Sequence, residues 1–74
     1  MEEYYIIRLE EGIYLRYFGG WGVSRVNKLS KAHLYRSLKT ATNMYNRLLE
    51  FYDKSGMDTK DIKILKVTMV SEEI

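Results

Sequence analysis

"YYIIRLEEGIYLRYF", Tyr4 to Phe18, decides the fold of this 74-residue chain. Two short runs rich in β-branched and aromatic residues flank Glu10-Glu11-Gly12, the pattern of two strands and a turn. A three-residue loop with glycine in the left-handed position is a common hairpin closure. Side chains alternate along a strand. Tyr5, Ile7 and Leu9 therefore share one face, and Tyr4, Ile6 and Arg8 the other. On the returning strand, Ile13, Leu15 and Tyr17 form the predicted core face. Tyr4 and Tyr14 are predicted to stand opposite each other on the second face, beside Ile6, Arg8, Arg16 and Phe18. Either the last strand or the segment 19–36 covers that second face, or it is exposed.

Downstream, Gly19-Gly20-Trp21-Gly22 ends the second strand, and Val23 to Val26 reads as a brief extended segment. Ser30 is placed to cap a single turn, Lys31-Ala32-His33; the other reading makes Leu34-Tyr35-Arg36 a short third strand. Ser37 is a good N-cap for the one strong helix, Leu38 to Lys54. Leu38, Ala41, Tyr45, Leu48, Leu49 and Tyr52 recur at spacings of three and four, which makes one apolar stripe. Gly56 supplies the stop, with Lys54 at the negative end of the helix dipole. Ile62 to Val70 is the last strand, but its alternation slips. Ile62 and Ile64 share a face, whereas Leu65, Val67 and Met69 share the opposite one. That implies a bulge near Ile64-Leu65 or a strand buried on both faces. The expected fold is α+β: a small antiparallel sheet in the order strand, strand, short strand or turn, helix, strand. The amphipathic helix packs on one face.

The chain is one domain, residues 1–74, with no linker-like or low-complexity stretch. It has no cysteine and a single histidine, His33. Disulfides and thiolate metal sites are excluded, and a cytoplasmic setting is expected. Its apolar runs are too short to span a bilayer, so no membrane partner is expected. The net charge of +2 is unevenly spread. The middle, residues 12–49, holds Arg16, Arg25, Lys28, Lys31, Arg36, Lys39 and Arg47 and no acid. Both flanks are net acidic. A basic segment of this kind concentrates acidic partners.

No catalytic pattern stands out. There is no P-loop, no HExxH and no Ser-His-Asp set in a recognisable context. "FGGWG" lacks phosphate-loop spacing and reads as a bend. His33 reads as a surface histidine with a backbone partner. The paired carboxylates Glu2-Glu3 and Glu10-Glu11 point to opposite faces of a strand and make no acid–base pair. A non-enzymatic protein without cofactor or metal is expected. Trp21 has two readings: an outward anchor for a partner, or a lid folded over Met44 and Phe51.

The run "YYIIRLEEGIYLRYFGGWGVSRVNKLSKAHLYRSLKTA" resembles small accessory proteins of Gram-positive phages and prophages. Those proteins share an opening apolar strand, a return strand and a glycine–aromatic turn. A passage such as Leu29-Ser30-Lys31-Ala32-His33-Leu34-Tyr35 then leads into a helix and a closing strand. The resemblance implies a phage gene product acting in host cytoplasm. Inhibitors of host enzymes or of bacterial defence, anti-CRISPR proteins among them, are common in that context. It carries over no functional residues.

The leading expectation is a protein that binds a host or defence-system macromolecule, a nucleoprotein complex included, and blocks it by direct contact. The partner-binding residues are Trp21, Arg16, Arg25, Phe18, Lys28 and Arg36, because aromatics and arginines dominate interface hot spots. The alternative is a small nucleic-acid-binding protein using the basic segment 16–47. A third reading is a homodimer formed by edge-strand pairing.

Overall fold

The opening hairpin forms where the sequence places it. In the computed structural model, which describes residues 2–20 and 22–69, strand β1 (Glu2–Glu10) turns into β2 (Ile13–Gly19) through Glu11-Gly12. Gly12 has φ 79°, the left-handed conformation the turn requires. The register slips by one residue between Arg8 and Glu10, as expected where glycine closes a short loop. Strand β3 (Gly22–Val26) pairs with the far side of β2, and β4 (Lys63–Met69) with the far side of β1. The result is a four-stranded antiparallel sheet in the order β3-β2-β1-β4, with helix α1 (Leu38–Lys54) packed against one face. The short third strand is thus Gly22–Val26.

One interior irregularity changes which residues form the core. Leu15 pairs with Arg25 and Tyr17 with Ser24, so Arg16 is an extra residue on β2. A bulge of one residue reverses the alternation beyond it. Tyr17, expected in the core, is 62% exposed instead. Phe18, expected on the second face, packs against the helix-side core.

The last strand contains no such bulge. Its register with β1 runs unbroken from Glu2 opposite Met69 to Arg8 opposite Lys63. Ile64 packs against the helix-side core, and Leu65 stands opposite Ile6 on the other face. Both are only half-buried, so the slipped alternation reflects neither a bulge nor a strand buried on both faces. Val70 lies outside the described residues.

The connection between β3 and α1 also differs from expectation. Its single 3₁₀ turn is Leu29–Lys31; Lys28 occupies the N-cap position without a side-chain cap, and Ser30 lies inside the turn. Leu34 to Arg36 form no strand. Tyr35 instead makes one antiparallel bridge to Tyr5, each amide donating to the other's carbonyl at 2.8 Å. The His33 amide donates to the Leu15 carbonyl at 3.0 Å. β1 and β2 pair only from Arg8 and Tyr14 to the turn, and Tyr35 serves β1 beyond that point. Burial pushes the Tyr35 phenol pKa up from its ordinary value.

Helix α1 has the predicted bounds. The Thr40 amide donates to Ser37 Oγ at 3.2 Å. At the other end Gly56 has φ 75°, and the Gly56 and Met57 amides return to the Asp53 and Tyr52 carbonyls at 3.0 and 2.9 Å. These paired bonds satisfy carbonyls the helix itself cannot. Ala41, Leu48 and Tyr52 are buried against Ile7, Leu9, Leu15 and Ile62. Leu38 belongs to the sequence stripe but is 53% exposed, because it precedes the first helical residue that meets the sheet. Ser37→Ala is expected to lower stability by about 1 kcal/mol. A urea midpoint equal to the parent's would show that the cap contributes nothing.

Candidate functional site

The bulge at Arg16 creates the aromatic cluster on the helix side. By turning Phe18 toward α1 it brings that ring against Phe51, with centroids 5.2 Å apart and planes tilted by 59°. Phe51 in turn meets the Tyr52 ring edge-on at 6.0 Å. Phe51 and Tyr52 are neighbours at the end of α1, so one ring faces the rim and the other the core. Two arginines frame the row. The Arg47 guanidinium lies 5.7 Å from the Phe18 ring centroid. Arg25, opposite Leu15 and so on the same face, donates from Nη2 to the Tyr52 hydroxyl at 3.0 Å. Arginine over an aromatic face is attracted by the ring quadrupole. Phe51 keeps 37% of its surface exposed. A shallow cleft of about 260 Å³ runs between Phe18, Arg47, Glu50, Phe51 and Lys54. The Glu50–Lys54 ion pair, 3.1 Å across, forms its charged rim. An apolar centre, arginines and a polar rim are the anatomy of a protein-binding patch.

Of the five described residues among the six picked from the sequence, Phe18 and Arg25 are brought together here. Arg16 sits at the bulge, where its Nη1 donates to the Lys31 carbonyl at 3.2 Å. Lys28 is exposed just before that turn. Arg36 lies elsewhere again, in a depression shared with Glu2, Glu3 and Tyr4. There the Tyr4 hydroxyl donates to a Glu2 carboxylate oxygen, which holds its proton and raises its pKa. Trp21 lies outside the described residues, in the connection between paired Gly19 and Gly22. Phe51, which the lid reading assigned to Trp21, is in contact with Phe18 and Tyr52. Arg47 joins the site without having been expected there. Its signal was its position four residues before Phe51, hence on the same side of the helix.

Helix α1 does not cover the opposite sheet face. The register places Lys63, Arg8, Tyr14 and Val26 in one row across all four strands. Tyr14 therefore stands opposite Arg8, and Tyr4 opposite Val67, and not opposite each other. Ile6, at the middle of this face, is fully buried. The surrounding Tyr4, Tyr14, Leu65 and Val67 are half-buried.

A second cleft, about 220 Å³, lies below the end of α1 between Arg25, Tyr52, Met57, Glu10, Asp58 and Asp61. Among the described residues no group of three or more His, Asp or Glu side chains is arranged to hold a metal. No described helix is long and apolar enough to cross a membrane. No known family model, curated protein or solved structure matches the chain.

Proposed function

We propose that this is a non-enzymatic binding protein that acts by direct contact on a host or bacterial-defence macromolecule, in the phage setting the sequence resemblance implies. The observation that supports this reading is the partly exposed row Phe18–Phe51–Tyr52 framed by Arg47 and Arg25. Aromatic rings held in place by a fold lose little entropy when a partner covers them, and arginines beside them provide directional hydrogen bonds.

The test is capture from host lysate by tagged protein, quantified by mass spectrometry. Phe51→Ala and Arg47→Ala are expected to reduce recovery of the specific partner by about tenfold or more. Their melting temperatures should stay within about 8 °C of the parent's, the shift of a 1 kcal/mol change in a domain this size. Equal capture by parent and variants would overturn the assignment. Trp21→Ala, read by the same two measurements, separates the anchor from the lid. An anchor lowers capture with stability near intact. A lid lowers stability by about 3 kcal/mol.

Nucleic-acid binding through the basic segment 16–47 receives less support. Arg25 faces the helix, Arg16 and Lys31 meet at the bulge, and Arg36 lies beside Glu2 and Glu3. Those cations make no single stripe along which a phosphate backbone could run.

A further inference from the structure

We propose that the sheet face turned away from α1 binds single-stranded nucleic acid, with Lys63 and Arg8 on phosphate and Tyr14 and Tyr17 as stacking surfaces.

The first observation is an uncompensated cost. Arg8 and Lys63 are direct partners on neighbouring strands, so their side chains rise side by side from one face. Like charges in that position are destabilising. Among the described residues neither forms an ion pair with a carboxylate. Lys66, on the other face of the same strand, does: its Nζ lies 3.3 Å from Glu3 Oε1. Neutralisation was therefore within reach of this strand and is missing only on the open face. Arg8 adds a second observation. Its Nε is buried and has no hydrogen-bond acceptor. Buried donors are almost always satisfied, so the Arg8 guanidinium has hydrogen-bonding capacity that no described side chain uses. An anionic oxygen against this pair removes the repulsion and gives the Arg8 guanidinium an acceptor.

The aromatic residues narrow the anion to a class. Tyr14 adjoins Arg8 in the same cross-sheet row. Tyr17 follows on the same face, beyond the bulge. Its ring lies across Gly19, so closely that a Cβ there would stand 2.6 to 2.8 Å from the phenol oxygen and ring carbons. The ring is thus supported from beneath by bare backbone while 62% of the residue stays exposed. Between the two tyrosines in the chain, Arg16 is held at the bulge by the Lys31 carbonyl. Rings with an open face next to cations suit unpaired bases on a phosphate backbone. A duplex hides its base faces and offers them nothing to stack on. An acidic peptide would satisfy the cations but leave the ring faces unused.

The experiment is fluorescence anisotropy with the intact chain and labelled oligonucleotides of about 12 nucleotides, within the usual footprint of small single-strand binders. Single-stranded DNA, single-stranded RNA and duplex DNA are compared at about 50 and 200 mM salt. Saturable binding to a single strand is expected, at least tenfold tighter than to the duplex, and falling steeply between the two salt concentrations. Lys63→Gln should lower the slope of log affinity against log salt by about one. Tyr17→Ala should weaken binding about tenfold at either salt. Both positions are exposed, so circular dichroism should show both variants folded. Arg47→Ala, on the helix side, should leave oligonucleotide affinity unchanged. It is the variant that tests the protein-binding surface, so the two readings can fail separately. No binding at the lower salt overturns the proposal. So does equal affinity for duplex, or a loss caused by Arg47→Ala and not by Lys63→Gln and Tyr17→Ala. Binding of an acidic peptide to this face, with no response to oligonucleotides, overturns it as well.

Discussion

Leu48→Asp is expected to leave no folded protein. Leu48 has no exposed surface and sits in the middle of α1's apolar face, in one cluster with Ile7, Leu15 and Tyr52. An aspartate there has neither water nor a cation to stabilise its charge. Burying an unpaired carboxylate is among the most destabilising single changes. A domain's whole stability is only about 5–15 kcal/mol, and a chain this short lies toward the lower end. Insoluble expression, or a soluble chain without a cooperative thermal transition, is the outcome that agrees. A soluble variant melting at the parent temperature would show that this side of α1 does not face the sheet.

The second large effect distinguishes two residues that simple alternation treats alike. Leu15→Ala is expected to lower stability by about 3 kcal/mol, from lost burial and the cavity left behind. Leu15 is fully buried in the helix-side cluster. Tyr17→Ala should cost less than about 1 kcal/mol, since most of that side chain remains in water and its ring lies over Gly19, which has no side chain to pack. Urea titrations with comparable slopes would give both values. Equal losses would mean that Leu15 and Tyr17 share a face and that Arg16 is not a bulge.

This pair also marks where the sequence stops being readable. The helix was legible from cap to stop because each signal is local: Ser37 before the stripe, the spacing of Ala41, Leu48 and Tyr52, and Gly56 after it. The first hairpin was legible through Gly12. The bulge was not, because Arg16 sits within an unbroken alternation and carries no glycine to announce it. Its cause lies across the sheet, in how β3 pairs with β2. The bridge from Tyr35 to Tyr5 was equally hidden, since a single pair of backbone bonds needs no particular side chain. In β4 the double-sided apolar pattern was visible, but only the unbroken pairing with β1 rules out a bulge. The candidate site followed the same division. Phe18 and Arg25 could be picked as aromatic and cation. That they meet Phe51 and Arg47, and that Lys63 joins Arg8, depends on register.

The register of β1 with β4 has a consequence in time. It joins Arg8 to Lys63, 55 positions apart, and Glu2 to Met69, 67 positions apart. Pairings this distant close large loops, form late and slow the folding of a small domain. Synthesis runs in the same direction. Strand β1 leaves the ribosome before the other three, and β4, with which it pairs along most of its length, leaves after them. Until then the nascent chain exposes an unsatisfied edge along Tyr4 to Leu9, a template for misassembly. Ile62 and Ile64, which complete the helix-side core, arrive with that last strand, and so does Lys63 on the opposite face. Both surfaces therefore come into being in one late kinetic event, and a partly made chain displays neither.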